Sequence, residues 1–552
     1  MIAKNEKQLN QTMAPAGNHK AEGSGKGFTG WMYNLWSRVW HGKDPDPFLF
    51  AAGMATAVIM AFPIFYVVIR SIGAGADRWA RLMDTRIPSL MWNTLSLAVS
   101  VTVLSVAIGI SLAWLLHRYK LPGGKIWVWL LALPLLIPPY VGAMTYVIVM
   151  GPRGWLASLL GEAPFSIYSF GGTLFVLTAF TYPYVLLIAS ASLKKMSTSY
   201  EEAARSLGMS PTSVFWKVYI PMLRPAMGAG GMLVFLYVLS DFGAVAMLRY
   251  ATFTSAIYYQ MGSYDTLSAT VLSTILIMMT VLVMWMENRS RKRQRYYQSG
   301  GSLRPHRKLD PGNKKVLILG WFTTILFLAF LVPMVVLLYW SRQGMAGGAL
   351  DGRFWGYALN SFKVAGFTAL ISMVLGLPVV YLKSRNPSIL TAVMDRFSYS
   401  GYALPGVIVA LGLIVVFNRY IPVFYNTWYL IVLASMIRFL PQSMQSAESS
   451  LNQVAPRIDE AARSLGYSSL KVVYRVILPL IMPGVLAGGA LVFVSTMKEL
   501  PATLLLRPPG FDTIAVRIWV ETSEAVYHMA APAALIIVLI SLIPLKILLS
   551  KS

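Results

Sequence analysis

Glu201-Glu202-Ala203-Ala204-Arg205-Ser206-Leu207-Gly208 is repeated as Asp459-Glu460-Ala461-Ala462-Arg463-Ser464-Leu465-Gly466, at an offset of 258 residues. Each copy is followed at the same offset by an apolar-Pro step, Ile220-Pro221 and Leu478-Pro479, then by a second proline, Pro225 and Pro483. Two acids favour the positive end of a helix, two alanines extend it with almost no side chain, and a glycine can take the left-handed conformation that stops it. Ser199 is placed to cap the first short helix, with Glu202 completing a capping box. In the second copy Arg457 takes the serine's place and Pro456 supplies a first-turn residue. Ser210-Pro211 and Ser468 then offer caps for a second helix. The predicted product, made twice, is a short helix, a sharp turn and another helix leading back into apolar sequence.

The apolar sequence around these loops is of membrane type. Of 552 residues, 56% are hydrophobic and 12% are charged, with a mean hydropathy of +0.59. A soluble domain carries roughly 25% charged residues. Apolar runs fall near 48–70, 90–116, 126–150, 170–193, 223–248 and 266–286, and again near 316–339, 357–382, 395–417, 427–447, 480–505 and 531–549. Most are about the 20 residues that cross a bilayer core as a helix. The expectation is an all-α polytopic membrane protein of about twelve transmembrane helices in two six-helix halves. An even number of spans separates the copies, so the halves run parallel about a pseudo-twofold axis along the membrane normal.

Charge sets the predicted orientation. The net charge of +25 would suit nucleic acid, but the basic residues lie between spans and form no basic domain. Basic cytoplasmic loops orient membrane helices. Arg118, Lys120 and Lys125 follow the second run, and Lys383 and Arg385 the eighth. The stretch between the halves carries Arg289, Arg291, Lys292, Arg293, Arg295, Arg304, Arg307, Lys308, Lys314 and Lys315 against two acids. These positions predict that both termini, the linker and both Glu-Ala-Ala loops face the cytoplasm. The expected organisation is a cytoplasmic tail at 1–47, a first membrane domain at 48–286, a basic linker at 287–315 and a second membrane domain at 316–552. There is no cysteine, which removes disulfides and thiolate metal sites. Gly23-Ser24-Gly25-Lys26-Gly27 imitates part of a phosphate loop, but Lys20 stands where the first glycine belongs and Gly27 where Ser or Thr would meet magnesium. No ATPase is visible in the chain.

The repeat reaches beyond the loops. Asn93-Thr94 answers Asn360-Ser361, Gly109 answers Gly376, and Pro134 is read as answering Pro405. Ala226/Gly230 and Gly484/Gly488 are small-residue steps that allow helices to approach closely.

The Glu-Ala-Ala…Gly segment with its apolar-Pro step resembles the cytoplasmic signature of the permeases of binding-protein-dependent ABC importers. The resemblance covers about 90–286 and 357–549. It implies the type I importer permease fold with two permease domains fused in one chain of a bacterial inner membrane. It also implies a cytoplasmic ABC ATPase dimer that uses ATP and magnesium, and an extracytoplasmic substrate-binding protein. The chain itself would bind no cofactor. The coupling positions it carries over are Glu201, Glu202, Ala203, Ala204 and Gly208, with Asp459, Glu460, Ala461, Ala462 and Gly466. Two further stretches resemble the ferric-iron branch: Ser240-Asp241-Phe242-Gly243-Ala244, continuing to Arg249, and Met497-Lys498-Glu499-Leu500-Pro501, continuing to Arg507 and Asp512-Thr513. Fused systems of this family also import thiamine and other small solutes, and these remain alternatives.

Asp241 and Glu499 share the 258 offset. Asp241 lies eighteen residues past Leu223, so at about 1.5 Å per residue it should sit roughly 27 Å up its helix, near the outer mouth of a path. An acidic pair there would suit a hard cation. The other reading is an ion pair with Lys498, Arg249 or Arg507 that fixes helix ends, or a docking contact. His19, His41, His117 and His306 fall on the cytoplasmic side of this topology, and His528 at the outer edge of the last span. No metal site is expected. A duplicated secondary transporter is the rival from another class, and such proteins carry ionisable residues at mid-membrane. Most spans here show none away from their ends.

Overall fold

The computed structural model describes residues 45–163, 165–194, 196, 199–292, 308–543 and 545. The Gly23–Gly27 stretch, His19, His41, His306, most of the tail and linker residues 293–307 lie outside them. Among the described residues every extended element is helical, and strand pairing is confined to one isolated bridge, Tyr119 with Leu309.

All twelve apolar runs are helical, but they are not twelve straight spans. Among the described residues eight helices are long and apolar enough to cross a membrane: Pro47–Ile72, Ile87–Arg118, Phe170–Lys194, Pro211–Ser240, Thr266–Met286, Lys314–Ala346, Gly352–Arg385 and Ser469–Met497. The third run is broken, with Ile126–Leu136 and Pro139–Leu160 meeting at 87°. Its counterpart breaks between Ile389–Tyr399 and Gly406–Tyr420. The tenth, Trp428–Leu451, carries Arg438, Gln442, Gln445 and Glu448 among its apolar residues, and the twelfth, Tyr527–Ile540, is short.

The two breaks have one cause. A proline disfavours helical geometry in the residue before it. Ile137 (ψ 114) precedes Pro138, and Leu404 (ψ 127) precedes Pro405. Pro138 (φ −58, ψ 139) and Pro405 (φ −56, ψ 138) then open the next helices in the same conformation. Pro405 is therefore answered by Pro138, at an offset of 267, and not by Pro134, which lies inside the 3-10 turn Leu133–Leu136. Asn93, Gly109 and Arg118 share that 267 offset with Asn360, Gly376 and Arg385. It shortens to 258 because the first half carries an extra small helix, Trp155–Leu160, before its fourth span.

Each half is built on three mutually packed spans: the second, fourth and fifth, and the eighth, tenth and eleventh. Apolar burial does not drive association in lipid, so close approach and dispersion must. A Cβ at Gly230 would lie 3.1 Å from Val185 Cα, and one at Gly488 would lie 2.9 Å from Ser443 Cα. The paired prolines are accommodated by π turns. Phe215–Tyr219 precedes Ile220-Pro221 and Val473–Ile477 precedes Leu478-Pro479. A helical proline clashes with the carbonyl four residues back, and the wider π turn moves that carbonyl away.

The predicted repeat markers tie each half together at its outer turn. Asn93 Nδ2 donates to Ala251 O (3.1 Å) and Asn360 Nδ2 to Asp512 O (3.1 Å). Beside them Thr94 Oγ1 accepts from Phe253 N (3.2 Å) and Ser361 Oγ from Ile514 N (2.8 Å). The halves also interlock. The first span packs on the second half, where Thr56 Oγ1 donates to Leu375 O (3.3 Å) and Gly412 lies against Pro63. The seventh returns the contact, with Phe322 against Trp127 at 5.4 Å between ring centroids.

Replacing Gly488 with valine should destabilise the second half by about 1–3 kcal/mol, the cost of overpacking. Gly366, exposed on its helix with no atom near its Cβ position, should accept alanine with no loss or a gain of about 0.5–1 kcal/mol. Thermal unfolding of the two variants in detergent checks both.

Candidate functional site

The two repeated loops fold alike. The short helices are Ser199–Ser206 and Arg457–Ser464. Each ends on a glycine at positive φ, Gly208 (+79°) and Gly466 (+85°). Met209 N bonds Ala204 O (3.1 Å) and Gly208 N bonds Arg205 O (2.9 Å); Tyr467 N bonds Ala462 O (3.2 Å) and Gly466 N bonds Arg463 O (2.9 Å). This is a Schellman stop, and an L side chain would be strained at the glycine. Ser210 and Ser468 then cap the helices that lead inward, accepting from Ser213 N (3.2 Å) and Lys471 N (3.4 Å). Ser199 opens the described part of the first helix, and residues 197 and 198 before it lie outside the described residues. The second helix starts at Arg457, one residue after the proline predicted to open it. Pro456 flanks its helix without a side-chain cap.

The two acids of each motif divide the work. Glu201 turns inward, where it pairs with Arg118 at the end of the second span and accepts from Tyr219 Oη (2.6 Å). Arg205 lies 3.1 Å from its other oxygen. Asp459 does the same in the second half, accepting from Tyr381 Oη (3.0 Å) and Arg385 Nε (3.3 Å), while Arg385 also holds Val454 O (2.8 Å). Arg118 and Arg385, read from sequence as orienting charges, are thus the anchors of the loops. Burial opposes ionisation of Glu201, but hydrogen bonds from Arg118 and Tyr219, with the charges of Arg118 and Arg205, hold its carboxyl below the usual range. Glu202 and Ala203, with Glu460 and Ala461, face outward, while Ala204 and Ala462 are buried. Leu207 (83%) and Leu465 (80%) stand beside them almost fully exposed.

The second element is a cavity of about 430 Å³ between the halves. Asp241 and Glu499 both line it, together with Phe180 and Tyr184 from the fourth span and Arg438 and Gln442 from the tenth. Those four residues lie in the middle of their helices, and the acids share the cavity with them. The fifth helix stops at Ser240, and the chain folds into the bundle through Gly243–Met247, which packs on Tyr140.

The acids also hold the next helices. Asp241 Oδ2 accepts from Ala244 N (3.0 Å) and Val245 N (3.2 Å), and Glu499 Oε1 accepts from Ala502 N (3.0 Å). Fixing helix ends, one of the two predicted roles, is what they do, with partners other than those expected. Glu499 pairs with Arg438. Lys498 Nζ donates to Leu135 O (3.1 Å) across the interface, Arg249 lies over the Tyr168 ring at 5.2 Å, and Arg507 pairs with Asp512. Arg438 is the functional residue that sequence reasoning missed. Its signal was a lone arginine inside Leu430–Leu440, and it is an exception to the expectation that spans lack mid-membrane charge.

Two interlocked six-helix halves, an outward-facing Glu-Ala-Ala loop on each and a cavity between them define a duplicated membrane permease. The model of the family described as "Binding-protein-dependent transport system inner membrane component" matches the chain twice, at 105–296 and 369–549. The chain belongs to that family and is a permease component of an ABC importer. It is 35% identical to the Fe(3+)-transport system permease protein FbpB 2 of Haemophilus influenzae over 89% of this chain and 95% of that one. It is 26% identical to the ferric transport system permease protein FbpB of Actinobacillus pleuropneumoniae, over 82% of this chain and 69% of that one. A probable sulfate transport system permease of Marchantia polymorpha is 25% identical over 42% of this chain and 83% of its own length.

Because the Glu201 carboxyl titrates below its unfolded value, the anchor should be intact above the unfolded pKa and be lost as pH falls through the lower folded one. Protection of the Ser199–Gly208 amides, measured against their intrinsic exchange rates, should therefore persist below the ordinary glutamate range and be lost only at lower pH. Glu201→Gln should raise exchange at every pH and cost roughly 3 kcal/mol, because Arg118 stays buried without its partner.

Proposed function

We propose that the chain forms the membrane path of an importer for ferric iron, with ATP hydrolysis supplied by a separate cytoplasmic ATPase dimer. The observation that carries the coupling reading is the pair of matching outward surfaces. Glu202, Ala203 and Leu207, and Glu460, Ala461 and Leu465, are exposed on two loops anchored alike. A small-residue patch beside a lone exposed leucine is a surface that another chain can approach closely and cover. Glu201 and Asp459 would transmit force, since each ties its loop to a long span through a buried arginine. Gly208 and Gly466 would set the angle between the docking helix and the helix that moves.

Ferric iron as cargo is supported by the printed function of the two ferric-permease relatives, each matching most of this chain. Iron would arrive from an extracytoplasmic binding protein, and ATP with magnesium would be bound by the ATPase. The chain itself would hold no resident cofactor. The basic loops after the second and eighth spans support placing the docking loops, the linker and both termini in the cytoplasm. Under this reading 48–286 and 316–552 are the two permease domains, joined by the linker 287–315 and preceded by the tail 1–47. Import of thiamine or another small solute by the same machine is the alternative for cargo.

Glu202→Lys with Glu460→Lys should abolish co-purification with the ATPase while leaving detergent unfolding unchanged, since both residues lie on the surface. In proteoliposomes the double variant should import no iron even with ATP and loaded binding protein. Full ion-gradient-driven uptake by the chain alone would instead establish a secondary transporter.

A further inference from the structure

The pseudo-twofold axis fails in the cavity, and it fails in charge. At the 258 offset Arg438 stands opposite Phe180, Gln442 opposite Tyr184, Gln445 opposite Leu187, Ser495 opposite Tyr237 and Lys498 opposite Ser240. All of these but Leu187 line the cavity. The first half thus contributes a largely aromatic wall, and the second a wall of hydrogen-bond donors and both cations. The two acids, which are symmetric, have turned their oxygens to backbone N–H groups and to Arg438. Among the described residues no carboxylate pairs with Lys498, whose ammonium meets only the Leu135 carbonyl (3.1 Å). Also lining the cavity, from the first half, is Tyr140, 5% exposed, whose buried hydroxyl has no hydrogen-bond partner. A buried hydroxyl without a partner is rare in a native fold and marks a place where a ligand or water completes it.

These donors do not make a site for a bare cation. Among the described residues no group of three or more His, Cys, Asp or Glu side chains could hold a metal ion. A ferric ion needs several hard oxygen ligands, and of the two carboxylates here Glu499 is paired with Arg438 while Asp241 Oδ2 accepts two backbone N–H groups. A ligand that brings its own oxygens and presents them outward as negative charge would suit Lys498, the remaining N–H groups of Arg438 and the Tyr140 hydroxyl. The cavity, at about 430 Å³, has room for a metal with such ligands.

We propose that the cavity is an off-axis station for a small oxyanion, held by Lys498 and Arg438 of the second half and Tyr140 of the first. Ferric iron, where the cargo reading above holds, passes through it as an iron–oxyanion complex. The oxyanion enters with the metal and no bond of the chain is made or broken. The aromatic wall of the first half keeps the complex from engaging both halves equally, so that release follows when the second half moves.

The test uses the complete transporter in proteoliposomes, with its ATPase and binding protein, supplied with ⁵⁵Fe and either ³²P-phosphate or ¹⁴C-citrate. The expected result is entry of ⁵⁵Fe with one of the two labels in a fixed ratio. Tyr140→Phe and Lys498→Gln should lower both counts at least tenfold while ATP hydrolysis continues. Tyr140→Phe removes only a hydroxyl without a partner, so its folding is not at issue if Lys498→Gln expresses poorly. Entry of ³²P or ¹⁴C without ⁵⁵Fe, lowered by the same substitutions, would support the oxyanion station and overturn the ferric reading. Entry of ⁵⁵Fe with neither label, at a rate both substitutions leave unchanged, would overturn the station and leave the ferric reading standing.

Discussion

The architecture hangs on a charge pair used twice: Arg118 with Glu201, and Arg385 with Asp459. Each joins the end of a long membrane span to the short helix of a surface loop. Such a pair is costly to desolvate and costly to break, because either partner left alone is a buried charge. That makes the loop move with the span. The Schellman stop at the glycine and the serine cap of the next helix then carry the same rigid connection into the fifth and eleventh spans. Without the inward acid, the exposed glutamate, alanine and leucine would sit on a tether and could transmit nothing.

The two layers of the permease follow opposite rules of symmetry. At the outward face of the repeated loops the copies are equivalent in backbone, anchoring and exposure. In the cavity they match in Asp241 and Glu499, which hold the short helices after the fifth and eleventh spans, and in the apolar pair Leu233 and Leu491. The cations break the match: Arg438 and Lys498 of the second half stand where the first has Phe180 and Ser240.

Much of this was legible in the chain. The Glu-Ala-Ala repeat disclosed the duplication, the apolar runs located all twelve helical segments, and Gly208 and Gly466 take the left-handed conformation their position predicted. The small-residue steps are close packing contacts, as Gly230 on Val185 and Gly488 on Ser443 show. Other assignments failed for local reasons. Pro134 was matched to Pro405 because both sit in similar apolar runs, whereas the backbone pairs Pro138 with Pro405. The inward turn after the fifth span has no signal in the sequence, because it depends on what Gly243 can pack against.

Composition, periodicity and the spacing of acids, alanines, glycines and prolines were enough to determine a membrane-embedded, all-helical, internally duplicated permease with a short helix and glycine stop in each repeated loop. Those are local properties, set by hydropathy and backbone preference within a few turns of helix. Only the tertiary structure decided which acid of each pair faces inward, that Arg438 is the partner of Glu499, and that both cations of the cavity come from one half. Each depends on residues between 61 and 83 positions apart in the chain, or in different halves, whose meeting is settled by helix packing. Spacing in the sequence carries no record of such an encounter.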